Sequence, residues 1–334
     1  MPADAVLSVR GLAVDFATRR RTVRAVSEVA FDLRPGRTLG LVGESGSGKS
    51  VTSLALMRLL AQPAGRIGAG SILLRTPDGV LDLARLPEPA MRRVRGRRVA
   101  MVFQEPMTSL NPMLPIGEQI AEVARLHLGR GRADAARDAV ALLDRVGIPA
   151  AASRAQSYPH ELSGGMRQRA MIAIALACRP SVMIADEPTT ALDVTIQAQV
   201  LTLIRELQDE TRMAVLFITH NLGVVAEVAD EVAVMYGGQF VETGMVAEVL
   251  ARPAHPYTRA LLESLPPAIG SAVPLRRRLH AIPGSVVDLA APPPGCRFGP
   301  RCERHVAACD AAPVALDPLA PGRAVRCIRA RETA

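Results

Sequence analysis

Apolar and polar residues alternate along residues 6–42: Leu7 and Val9, Val14 and Phe16, then Val29, Phe31 and Leu33. A period of two turns one side of each run toward a core, so this stretch predicts antiparallel β structure, turning at the arginines of 19–21. It leads into a core strand over Thr38–Val42. Beyond a glycine-rich stretch, Val51–Leu60 is apolar on a helical period and ends before Gln62-Pro63. Residues 116–149 and 161–178 carry the same helical period. By contrast, VMIADE (182–187) and AVLFIT (214–219) are short, continuous apolar runs, as in strands buried on both faces of a mostly parallel sheet. The middle of the chain therefore predicts a helical insertion between sheet strands, in an α/β fold.

Composition narrows the class. At 334 residues the chain exceeds one domain of about 150. With 49% hydrophobic and 22% charged residues it is neither disordered nor a small disulfide scaffold. The longest apolar run, Ala170–Cys178, is about half of what a bilayer span requires, and the N-terminus lacks the basic flank and apolar block of a signal peptide. The expectation is a chain that stays where it is made, so its five cysteines read as reduced thiols or metal ligands. No tryptophan, three tyrosines and six phenylalanines leave little to stack on bases, and no nucleic-acid partner is expected.

After about residue 265 the character changes. Residues 266–334 hold 11 of the 26 prolines, four of the five cysteines and +5 of the net charge of +8. The expected organisation is a domain over 1–265 and a loop-rich extension over 266–334. The arginine groups at 92–98 and 276–278 read as solvated faces, with contacts to anionic lipid as the alternative. Of the 40 basic residues 39 are arginine, and the single lysine is Lys49. A base bias explains the arginines but not the position that kept lysine; a compact ammonium fits within a closed loop where a planar guanidinium does not.

Lys49 stands in Gly43-Glu-Ser-Gly-Ser-Gly-Lys49-Ser50, the full G-x-x-x-x-G-K-[ST] pattern between a predicted strand and a predicted helix. Its glycines (Gly43, Gly46, Gly48) let backbone N–H groups turn inward around phosphate oxygens, beside a helix N-terminus. Lys49 reaches the β and γ phosphates and Ser50 offers its hydroxyl to Mg²⁺. The nucleotide-binding run extends over Glu44, Ser45, Ser47 and Val51. VMIADE carries Asp186 to the end of its strand, where α/β sheets place ligands; Asp186 suits the Mg²⁺ sphere and Glu187 the activation of water. Gln104 after VAMVF and His220 after AVLFIT stand at strand ends of the same kind.

Leu162-Ser-Gly-Gly-Met-Arg-Gln-Arg169 resembles the signature of ATP-binding-cassette ATPases. With Gln104, Asp186-Glu187, Ala191-Leu-Asp193 and His220 the resemblance covers residues 6–250. QEPMTSLNPM (104–113), DEPTTALDVTIQAQ (186–199), HPYTRALL (255–262) and the cysteine-bearing tail are similar, more narrowly, to the oligopeptide/dipeptide importer ATPases. That family implies a RecA-like core, an N-terminal β subdomain and a helical subdomain over about 105–175. It implies head-to-tail dimers in which Ser163, Gly164 and Gly165 touch the γ-phosphate held by the partner, with Asp193 at the dimer contact. Within the site it implies Phe16 on adenine, Gln104 at Mg²⁺ and the attacking water, and His220 at the γ-phosphate. Met166 replaces the commoner glutamine, and tyrosine is more usual at the position of Phe16.

Cys296, Cys302, Cys309 and Cys327 lie in a proline-rich segment with little apolar material, where bound metal can replace a core. Zinc usually takes closer pairs, and four widely spaced thiolates suit a [4Fe–4S] cluster better. Such a cluster is also what the resemblance implies, with zinc and free thiols as alternatives. Cys178, in an apolar helical run, reads as buried.

The resulting expectation is an ATPase subunit peripheral on the cytoplasmic face of the plasma membrane, powering import of di- or oligopeptides. The implied partners are a second, related but non-identical ATPase subunit, two transmembrane permeases and an extracytoplasmic peptide-binding protein. A permease helix would dock near Gln104–Pro115. Nickel, glutathione or another small solute is the alternative cargo. A soluble cassette ATPase acting on DNA or ribosomes is the rival class, though the long coiled-coil insertion or tandem cassette of such proteins is missing.

Overall fold

A computed structural model describes residues 1–19, 21–190, 192–265 and 282–332. Ala191, the arginine triplet 276–278 and the start of the expected extension at 266 lie outside the described residues. In chain order the elements are β1 (Leu7–Ala17), β2 (Thr22–Leu33), β3 (Thr38–Val42), α1 (Lys49–Leu56), β4 (Gly65–Thr76), β5 (Gly79–Asp82), α2 (Glu88–Val94), β6 (Val99–Val102), α3 (Pro106–Ser109), α4 (Ile116–Leu128), α5 (Arg132–Arg145), α6 (Ala151–Arg154) and α7 (Gly164–Leu176). They continue through β7 (Val182–Asp186), α8 (Val194–Thr211), β8 (Ala214–Thr219), α9 (Leu222–Val228), β9 (Glu231–Tyr236), β10 (Gln239–Met245), α10 (Val246–Ala251), α11 (Pro256–Glu263), β11 (Asp317–Ala320) and β12 (Arg323–Val325). Helix α1 stops short of Leu60 because Arg58 takes a left-handed φ of 51° and turns the chain.

Two compact units form, each drawn from several separate stretches of the chain. The first comprises Met1–Ser8, Asp32–Thr38 and Ile72–Ile218. Its sheet strands β6, β7 and β8 run parallel, with Val99 opposite Val182 and Asp186 opposite Ile218. All of β7 and β8 is buried, which is why these runs are apolar without alternation. Helices α4, α5 and α7 pack together, with Ile116, Ile120, Ala139, Leu143 and all of Ala170–Ala173 buried.

The second unit comprises Val9–Phe31, Leu39–Ser71 and residues from Thr219 onward. Here β3 pairs with β9 in parallel, and β9–β10, β10–β12 and β12–β11 follow antiparallel. The core joins Val42, Val232, Val234, Tyr236, Val249, Tyr257 and Phe298. Phe298 comes from the cysteine-bearing segment, so that segment shares a core with Val42, the end of the strand that leads into the glycine-rich loop.

At the polar centre of this unit the fully buried Glu242 accepts from the N–H groups of Ala254 and His255, both at 2.9 Å, and from Arg323 at 2.7 Å. His255 caps α11 by accepting the Tyr257 N–H at Nδ1, 3.0 Å away. Desolvation drives the His255 imidazole down to about 3, against a raising hydrogen bond with the Arg326 backbone. The ordinary value is about 6.5, so as pH falls from there toward 3 the unfolded chain takes up a proton that the folded chain refuses, and stability is lost. The full effect would be at most roughly 5 kcal/mol. His255→Asn keeps a capping acceptor and is expected to flatten the fall in melting temperature between about pH 7 and 5 relative to the unaltered chain, read by circular dichroism; an identical pH slope would count against the assignment.

Candidate nucleotide site

In the second unit the loop from Gly43 to Gly48 joins β3 to α1. Gly43 presses on β9: a Cβ there would lie 2.1 Å from the Met235 carbonyl oxygen, so no side chain fits. Gly46 and Gly48 have φ of 78° and 106°, the left-handed turns that glycine makes without strain. Ser47 is fully buried, its carbonyl accepts the Gly238 N–H at 2.8 Å, and its Oγ has no hydrogen-bond partner among the described residues. Lys49 is 4% exposed and folds back over the loop, its Nζ donating to the carbonyls of Gly43 at 2.8 Å and Glu44 at 3.0 Å. Ser45 and Gly46 are exposed at the loop's outer turn. Ser50 and Val51 stand half-buried on the first turn of α1. The N-terminal end of a helix directs backbone N–H groups and partial positive charge toward anionic oxygens.

In the first unit, the ends of β6, β7 and β8 share one sheet edge. Asp186 closes β7 and is buried. Glu187 follows at φ 48°, rare for a residue with a side chain, and its N–H is held by the Ile218 carbonyl at 2.9 Å. Its Oε2 accepts from Gln104 Nε2 at 3.3 Å and Thr190 Oγ1 at 2.9 Å. The sequence thus pointed to both Gln104 and Glu187, which touch; Thr190 carried no signal of its own. His220 follows β8 directly, belongs to the second unit and is exposed.

Also in the first unit are two capped helix tips. Ser163 caps α7, accepting the Met166 N–H at 3.3 Å, and Asp193 caps α8, accepting the Ile196 N–H at 2.9 Å. A Cβ on Gly165 would meet Ile196 at 2.8 Å, whereas Gly164 faces open space. Glycine at 165 therefore lets the two helices approach, and glycine at 164 keeps the tip bare. Ser163, Gly164 and Asp193 are exposed, as is the apolar Val194 at 82%.

Phe16 is half-buried on β1 with its ring edge against Gly65, where a Cβ would lie 2.9 Å from Cε1. Cys178 is buried. The other four cysteines, Cys296, Cys302, Cys309 and Cys327, are free thiols lining one cavity with His255 and Arg304. Burial pushes the Cys296 thiol up to about 11 and raises Cys302 and Cys327, with neighbouring cysteines adding to the shift. Among the described residues no three His, Cys, Asp or Glu side chains are placed to share one metal ion. No helix among them is long and apolar enough to cross a membrane.

Residues 26–190 match the family described as ABC transporter, and residues 241–309 match that described as oligopeptide/dipeptide transporter, C-terminal region. A protein of Brucella melitensis biotype 1 named "Putative peptide import ATP-binding protein" is 56% identical over 338 residues, covering 100% of both chains. One of the same description from Brucella abortus (strain 2308) is 50% identical over 322 residues, 96% of this chain and 94% of that one. A dimeric ATP-binding cassette in a post-hydrolysis state, bound to ADP and Pi, matches with a TM-score of 0.63 at 21% identity, covering 72% of this chain and 98% of that one. A Clostridium perfringens protein that is part of an ABC transporter complex matches at 0.61 and 25% identity, covering 74% and 91%. The fold is that of an ATP-binding cassette, an α/β core with an antiparallel β subdomain and helices. The chain belongs to the ABC transporter family, in its oligopeptide/dipeptide branch.

Gly43→Ala would drive a methyl into the Met235 carbonyl. The variant is expected to lose nucleotide binding and melt at lower temperature, measured by titration with a fluorescent ATP analogue and by thermal denaturation.

Proposed function

We propose that the chain is the ATP-hydrolysing subunit of an importer for di- and oligopeptides. The observation that carries the reading is a glycine loop closed on Lys49 in the same chain as a Glu187 carboxylate oriented by Gln104 and Thr190. The family match over 241–309 and the names of the relatives support peptide as cargo.

Each residue takes a role its position suits. The loop, Gly43 to Ser50 with Val51, cradles the triphosphate through backbone N–H groups and the Lys49 ammonium, and the half-buried Phe16 ring lies on adenine. Ser50, Gln104 and Asp186 would hold Mg²⁺, a hydroxyl, an amide and a buried carboxylate forming a donor set that fits a hard cation. The ion would neutralise charge gathering on the phosphate oxygens. Glu187 accepts a proton from the attacking water, and His220 holds the γ-phosphate. Ser163, Gly164 and Gly165 offer a bare helix tip to the triphosphate of a partner subunit, with Asp193 beside that contact. The partner is a related, non-identical ATPase; two permeases and an extracytoplasmic peptide-binding protein complete the importer, and this subunit sits on the cytoplasmic face of the plasma membrane. The division into 1–265 and 266–334, with a helical subdomain over about 105–175, belongs to the same reading.

Four thiols round one cavity would supply the four-cysteine donor set that a [4Fe–4S] cluster takes. When bound, the cluster would cross-link four segments of a region poor in apolar residues. Full-length protein purified without oxygen is expected to contain about four irons and four sulfides per chain; zinc, or no metal, would overturn this assignment.

Glu187→Gln is expected to lower kcat by about 10²–10⁴-fold while ATP remains bound, in phosphate-release and equilibrium-binding assays. Turnover at the unaltered rate would remove Glu187 from its role. Cells carrying only this variant should also fail to take up a labelled dipeptide; normal dipeptide uptake with loss of nickel uptake would reassign the cargo.

A further inference from the structure

The phosphate loop is held from outside by residues far along the chain. Every polar group of Glu44, the residue after Gly43, is engaged. Its N–H donates to the Tyr257 hydroxyl at 2.8 Å. Its carbonyl accepts from Lys49 Nζ at 3.0 Å and from the Ser47 N–H at 3.2 Å. Its carboxylate takes both prongs of Arg301, at 2.7 and 3.1 Å. The Arg301 side chain is only 4% exposed, and it is itself fixed: Nε donates to the Pro283 carbonyl at 2.8 Å and the guanidinium lies over the rings of Tyr236 and Phe298. Those two rings pack with Tyr257, at centroid distances of 4.7 to 5.3 Å. Three of the nine phenylalanines and tyrosines in an aromatic-poor chain are thus gathered behind one loop residue.

We propose that Arg301 and Tyr257 are positioning residues for the nucleotide site: by fixing Glu44 they hold the loop in the shape that receives the triphosphate, and so tie ATP affinity to the cysteine-bearing segment. The inference rests on reading this loop as the ATP site. A fork with two parallel bonds fixes the plane of the carboxylate, which a single-point contact does not. The Tyr257 hydroxyl stays a neutral phenol because burial raises it well above its ordinary value, so it can accept from the loop N–H while keeping its own proton. Arg301 immediately precedes Cys302, one of the four cysteines on the cavity, so the backbone that carries the guanidinium is continuous with the cysteine-bearing wall.

The test uses the full chain and four variants, Glu44→Gln, Arg301→Gln, Arg301→Lys and the Glu44→Gln/Arg301→Gln double. Steady-state hydrolysis should show KM for MgATP raised about tenfold in each glutamine single with kcat changed much less, the split expected of lost ground-state positioning. The double variant should be no weaker than either single, because both remove one interaction. Arg301→Lys should recover part of the affinity by restoring charge without the fork. Glu44→Gln leaves the aromatic packing untouched and so keeps the test sound if Arg301→Gln folds poorly. Unchanged KM in Glu44→Gln and Arg301→Lys, or effects that multiply in the double variant, would overturn the proposal. Binding of MgATP by the unaltered chain tests the nucleotide reading separately, so the two failures are told apart.

Discussion

An ammonium group closing its own loop is the constraint around which the site is built. Lys49 Nζ sits under a turn and holds two of its carbonyls, Gly43 and Glu44. Those oxygens converge because Gly43 can lie flat on the Met235 carbonyl, which only a residue without Cβ allows. A small cation with three freely rotating donors can trade such carbonyls for phosphate oxygens without the loop opening. A guanidinium would have to force the turn apart, which gives a physical reason for a chain of 39 arginines to keep one lysine.

The chemistry is distributed between groups of different rigidity. Glu187 is held in an uncommon backbone state at the end of a fully buried strand, with its carboxylate steered by Gln104 and Thr190. Backbone strain of this kind persists only where neighbours over-determine it, as the Ile218 bond does here. The tips at Ser163 and Asp193 are instead open, their caps satisfied and their outer surface free of bulk at Gly164. In the proposed function these two kinds of group divide the work, the rigid carboxylate acting on a water molecule and the bare helix tip on a ligand carried by another chain.

Much of this is legible in the amino-acid sequence. Period-two alternation marked β1 and β2, and unbroken apolar runs marked β7 and β8, because burial on one face or both writes itself directly into sequence. Loop, strand-end carboxylates and signature were readable because each chemistry depends on residues that are close in the chain. Arg301 and Tyr257 were not readable as supports of Glu44, from which they stand 257 and 213 residues away. Nothing local to an arginine before a cysteine announces a carboxylate on the other side of the core. The hairpin of β11 and β12 is hidden because strands of three or four residues are too short to show a period.

That small hairpin bears on how the molecule is made. Strand β10 would present an open edge if it paired only with β9; β12 covers it, and β11 beyond carries Pro318, which has no N–H to offer a stranger. Arg323 on the same strand brings the cation that neutralises Glu242. During synthesis both the bare edge and the buried acid therefore wait for residues 323–325 to leave the ribosome, and over that interval the nascent polypeptide is at its most vulnerable to sticking and proteolysis.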